Sequence, residues 1–113
     1  SAGASQRYLL KPVVRLIANQ NAAIIEGTYE GVEAGSRLVV YAYEKGTYVA
    51  TEAEADAETG LRFANAVTST SLDANGNFTL AFLNAGEYDL VFVSIDEEGE
   101  FQDVVGSYGT TLS

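Results

Sequence analysis

The chain has no cysteine and no histidine among its 113 residues. Without cysteine, neither disulfides nor thiolate ligands can contribute to stability or chemistry. Without histidine, the commonest general base and the commonest transition-metal ligand are both missing. Cationic side chains are scarce too: 6 Lys and Arg stand against 16 Asp and Glu, a formal net charge of -10. Such a field repels phosphate backbones and anionic headgroups, which argues against nucleic acid and membrane surfaces and suits cations, sugars or peptides. No apolar run reaches the ~18 residues of a membrane span, and no charged segment followed by an apolar one opens the chain. A single proline and 47% hydrophobic residues describe one globular domain. Residues 1–7, small and polar from Ser1 to Ser5, read as a linker or expression remnant at the start of a processed piece, which leaves 8–113 as the domain.

What is present is a series of short strands. Pro12 to Ala18 is a β-branched run with its proline at the start, where a missing donor is tolerated. After Asn19-Gln20-Asn21, the alternation from Ala22 to Tyr29 puts Ile25 and Tyr29 on one face, with Gly27 as a bulge or a close backbone approach. Arg37 to Glu44 is apolar on both faces, as a central strand would be. From Thr47 to Leu61 the pattern is ambiguous. Thr51 and Glu54 resemble a capping box, and alanine favours one or two helical turns near 51–60 over a strand with a weak apolar face. Phe63 to Leu72 resumes the strand pattern. Asp73, Asn75, Gly76 and Asn77 then form a tight turn ahead of Phe78, Leu80 and Phe82, which share a face. Gly86 breaks the chain again before Tyr88, Leu90 and Phe92, and Asp96 to Gly99 turns the chain into a last strand, Phe101 to Tyr108. These features together describe an all-β, seven-stranded, antiparallel two-sheet sandwich.

Candidate site residues are few. Tyr41, Tyr43 and Tyr48 would offer a sugar-binding platform if exposed; strand propensity favours the plainer reading, that they cover the core or support the crossover. Asp96, Glu97, Glu98 and Glu100 form the densest carboxylate cluster, and with Asp73 or Asp103 they would make a calcium cage if the loops met. Consecutive acids in a hairpin are more often simply solvated. Asp73, Asn75 and Asn77 lack the later glutamate of a calcium loop and read as turn chemistry. Gly76, Phe78, Gly86 and Tyr88 have structural roles, with Tyr88 placed as a tyrosine corner. No base stands beside Ser69, Ser71 or Ser94, and no carboxylate pair flanks an apolar pocket, so the expectation is a non-enzyme that needs no cofactor.

The segments Asp73 to Leu80 and Leu83 to Leu90 resemble the prealbumin-like superfamily, which includes carboxypeptidase regulatory-like domains and collagen-adhesin B-type repeats. There an aspartate-glycine turn precedes an aromatic strand and a glycine-x-tyrosine step opens the next. The hydrolases of that general fold rely on histidines, which this chain lacks. Tyr8 to Leu16, Ile25-Glu26-Gly27 and Val40 to Tyr43 resemble the C-terminal half of a family of bacterial envelope proteins, often lipoproteins, of unassigned function; the likeness spans roughly residues 8–105. It implies a preceding domain, a lipid-anchored parent, and a periplasmic or cell-surface setting with a glycan or protein partner. Collagen-adhesin repeats can also carry an isopeptide bond, for which Lys11 and Asp103, with Glu26 or Glu87 as proton shuttle, match in position only. The expected function is a structural or binding module of an envelope protein, with a carbohydrate-binding or a calcium-stabilised adhesive module as alternatives.

Overall fold

The computed structural model describes residues 13–19, 24–30, 37–81 and 84–112, and of 13–19 the backbone alone. Seven strands form two antiparallel sheets: β1 (Val13–Asn19), β2 (Ile24–Glu30), β3 (Arg37–Glu44), β4 (Thr68–Ser71), β5 (Asn77–Leu80), β6 (Gly86–Ile95) and β7 (Phe101–Leu112). The orders are β1-β2-β5 and β4-β3-β6-β7. The chain passes between the sheets from β2 to β3, from β4 to β5 and from β5 to β6. The inner faces meet in one core. Ile25, Tyr29, Phe78 and Leu80 come from the smaller sheet; Leu38, Val40, Ala42, Tyr88, Leu90, Phe92 and Leu112 come from the larger. Phe92 lies at its centre, with Tyr29 and Phe78 rings at centroid distances of 4.8 and 5.6 Å.

Several expected elements appear as read. Ile25 and Tyr29 share the buried face of β2, and Phe78 and Leu80 that of β5. Strand β3 is central, paired with β4 on one side and β6 on the other. Gly86 opens β6, and the Tyr88 hydroxyl donates to the Asn84 carbonyl, which ties the strand to the loop before it. Phe82, Pro12 and Lys11 lie outside the described residues.

Four expectations need correction. Gly27 is not a bulge, because it pairs in unbroken register with Leu16 on one side and Phe78 on the other. The capping box does not form. The helical segment is a single 3-10 turn, Ala50–Ala53, capped by Val49 without a side-chain hydrogen bond. The fourth strand is short, because Phe63 takes φ 56 and turns out of an extended path, so only Thr68–Ser71 pair with β3. The last strand runs on to Leu112, which is buried.

Strand β7 also departs from simple alternation. Its register with β6 skips Gln102 and Val105, each an extra residue opposite its partner strand. The extra residues keep Phe101 and Val104 on the outer face while Leu112 reaches the inner one.

Phe92→Ala is expected to destabilise the domain by about 3–5 kcal/mol in urea unfolding, because both aromatic partners lose their contact. A loss under about 1 kcal/mol would show that the intersheet core does not depend on this ring.

Candidate functional site

Strands β3 and β6 are apolar on both sides, so the outer face of the larger sheet also has to be covered. Val91 and Val93 are 0% and 1% exposed on that face, and Tyr43 is 0% exposed. The segment between β3 and β4 covers them and forms a second core, in which Phe63 joins Tyr43, Val91 and Val93, with Tyr41, Tyr48, Phe101 and Val104 packed around. Phe63 stacks on Tyr41 at 4.2 Å and meets Phe101 edge-on at 5.7 Å.

One carboxylate holds this covering segment together. Glu52 accepts from the Tyr43 hydroxyl at 3.0 Å, from the Asn65 amide at 3.0 Å and from the Asn65 side-chain nitrogen at 2.7 Å. Its backbone carbonyl accepts from the Phe63 amide at 2.7 Å. The Asn65 amide above all, helped by the Tyr43 hydroxyl and the Asn65 side chain, holds the Glu52 carboxyl below its usual range against the opposing effect of burial. Burial first, and then the bond to Glu52, push the Tyr43 phenol well above its ordinary range.

The tyrosines therefore form no exposed sugar platform. Tyr43 is wholly covered, Tyr41 has a ring face occupied by Phe63, and Tyr48 packs against Tyr43 at 5.1 Å. Tyr43 faces the outer side of the sheet, as its strand parity requires. What buries it is the covering segment, which strand periodicity does not describe.

The carboxylate cluster is corrected as well. Asp96 accepts from the amides of Glu98 and Glu100 through one oxygen, and Glu97, Glu98 and Glu100 are exposed. Among the described residues, no three acidic side chains come together as a metal site. Asp73 does the same work in its own turn, accepting from the Asn75 and Asn77 amides. Gly76 and Gly99 each take φ 84 three residues after their aspartate, so the two turns share one design. A third aspartate, Asp56, accepts from the amides of Glu58 and Thr59 ahead of Gly60 at φ 71. These acids close turns. Of the residues considered for an isopeptide bond, Lys11 is outside the described set, and Glu87 pairs with Lys45 at 3.2 Å on the surface.

A cleft of about 210 Å³ opens where the covering segment meets the β6–β7 hairpin. Its floor is Tyr41, Phe63, Val93, Ile95 and Phe101; Gly60 to Arg62 form one lip, and Gly99 and Glu100 the other. Arg62 donates to the Ala53 carbonyl at 2.7 Å and lies 4.8 Å from the centre of the Phe101 ring, so its charge is already engaged by the wall. Leu61 at the lip is 61% exposed. Sequence reasoning missed this cleft. Its available signal was the Asp56…Gly60 turn followed by the Arg62-Phe63 couple, an aromatic anchor inside an otherwise polar segment.

The Glu52 arrangement makes stability depend on pH at both ends. A carboxyl whose folded pKa is lowered adds stability above its unfolded pKa, ordinarily 4.5, and loses it as pH falls through the folded value. A phenol whose folded pKa is raised adds stability below its ordinary 10.0 and loses it as pH climbs further. Glu52→Gln is expected to flatten the acid limb of a denaturation-versus-pH profile without abolishing it, since the Asp56 and Asp73 carboxyls are also lowered by backbone amides. Tyr43→Phe should flatten the alkaline limb without abolishing it, since burial also raises the Tyr29, Tyr41 and Tyr48 phenols, and should soften the acid limb to a lesser degree through the lost bond to Glu52. An acid limb identical to the native one in Glu52→Gln would contradict the assignment.

Comparison of the chain with protein-family models, with curated proteins and with solved structures finds no match in any of the three.

Proposed function

We propose that this sandwich is a non-catalytic binding module of a bacterial cell-envelope protein and that it engages a protein partner through the cleft beside Phe63. The observation that carries this reading is the lining of the cleft: an aromatic and aliphatic floor with one carboxylate, Glu100, and one guanidinium, Arg62, at its lips. Acid–base chemistry of the two-carboxylate kind needs a second acid beside the first. An apolar floor with few polar groups instead suits the capture of a side chain. The envelope setting rests on the likeness of Tyr8 to Leu16 and Val40 to Tyr43 to envelope proteins, together with the acidic composition. A protein partner is preferred to a glycan because the tyrosine rings that would stack on a sugar are covered by Phe63 and the segment around it.

Panning the domain against a displayed library of random heptapeptides tests the module. The expected outcome is enrichment of peptides that bind saturably and intact, with binding weakened by Leu61→Asp, a change at an exposed position that leaves the core contacts in place. Cleavage of the recovered peptides, or the absence of any peptide sensitive to Leu61→Asp, would overturn the reading. Fractionation of the source cells should find the parent protein with the envelope; recovery in the cytosolic fraction would refute that setting.

A further inference from the structure

The cleft sits between two acidic lips. On one side, the turn that ends at Gly60 carries Asp56 and Glu58; on the other, the hairpin turn carries Glu97, Glu98 and Glu100. Glu58, Glu97, Glu98 and Glu100 are exposed, so their charge faces solvent. The amides of Thr59 and Glu58 hold the Asp56 carboxyl below its usual range, which keeps it ionised at neutral pH.

The nearby cations do not cancel this field. Arg62, which lies on Phe101 and the Ala53 carbonyl, and Arg37, which donates to the Glu97 carbonyl at 3.2 Å, keep their charge, so these two cations offset only part of the charge of Asp56, Glu58, Glu97, Glu98 and Glu100. Only Glu100 among the acids lines the opening itself. The others belong to the same two turns, whose Gly60 and Gly99 line the cleft, and a screening length of about 8–10 Å at ordinary ionic strength confines their reach to cations bound beside those turns.

Size narrows the occupant further. At about 210 Å³ the cleft falls below the ~300–1,000 Å³ of pockets that enclose a whole drug-sized ligand. It accommodates one side chain or ring. The exposed edge of Leu61 extends the apolar surface outward from the floor, so the rest of the ligand would run across the lips.

We propose that the cleft binds a protein segment in which one aromatic or large aliphatic side chain is flanked by lysine or arginine, the apolar group seated on the floor over Phe63 and Phe101 and the cations held by the acidic lips. The proposal rests on the reading of the domain as a binding module and adds the class of its partner. Steering by the lips raises the encounter rate, and the apolar contact supplies the selectivity.

The test is a titration of the isotope-labelled domain with the acetylated, amidated peptide Lys-Lys-Phe-Lys-Lys, followed by amide chemical shifts. Saturable shifts are expected at Leu61, Phe63, Gly99 and Phe101. Replacing the peptide's phenylalanine with alanine should weaken binding at least about tenfold, as expected for losing a buried aromatic group. Raising the salt to 0.5 M should weaken it as well, and so should the combined substitution Glu97→Lys and Glu98→Lys, which touches no core residue. Equal affinity for the alanine peptide, or shifts scattered over the acidic surface, would overturn the proposal, because charge alone would then account for binding. If Glu-Glu-Phe-Glu-Glu shifts the same cleft residues as strongly, the basic partner is refuted while the binding module stands. If the cleft residues respond to neither peptide, the basic partner is again refuted, and the outcome of panning with random heptapeptides decides the module separately.

Discussion

The structure depends on the double burial of strand β6. Leu90 and Phe92 face the other sheet, while Val91 and Val93, alternating with them, face outward and are just as covered. A sandwich with a solvated outer face would leave those valines in water, together with the outward ring of Tyr43 from the neighbouring strand. The segment between β3 and β4 is therefore part of the fold, not merely a connection, and its Phe63 and Ala53 form the outer layer. Because this layer is a loop rather than a sheet, it does not reach the hairpin end, and the cleft opens where it stops.

Glu52 makes that layer specific. Apolar contacts alone could be satisfied by several arrangements of a loop on a flat sheet, but one carboxylate that accepts from Tyr43 below and Asn65 beside it selects a single one. The acidity of the chain thus serves several ends. Asp56, Asp73 and Asp96 close turns on backbone amides, Glu52 pins the outer layer, and the remaining glutamates of the lips stay in solvent.

The inner core was legible in the sequence because it follows period two. Phe78 with Leu80, and Tyr88 with Leu90 and Phe92, need only strand parity and a turn before each run to place them. The turn at Asp73 and the hairpin at Asp96 were legible for the same local reason, since aspartate followed three residues later by glycine carries its own hydrogen bonds. The outer layer was not legible. Burial of Tyr43 depends on Glu52 and Phe63, nine and twenty positions away, and φ 56 at Phe63 is imposed by packing rather than by residue type. The offsets at Gln102 and Val105 have a similar origin, because an extra residue in a strand is defined only against its partner. Alanines alternating with acids from Glu52 to Glu58 carried too weak an apolar signal to separate a helix from a loop, and the chain takes one 3-10 turn there.

The outer layer keeps its arrangement because Glu52 pins it. Native-state hydrogen exchange reads this directly, since it reports the opening of individual segments. The Asn65 amide, which donates to the Glu52 carboxylate, should be protected in the native chain and lose that protection in Glu52→Ala, while the amides of the β3–β6 ladder stay protected in both. Exchange of the Asn65 amide at the rate of an open chain in the native protein, or unchanged protection in Glu52→Ala, would contradict it.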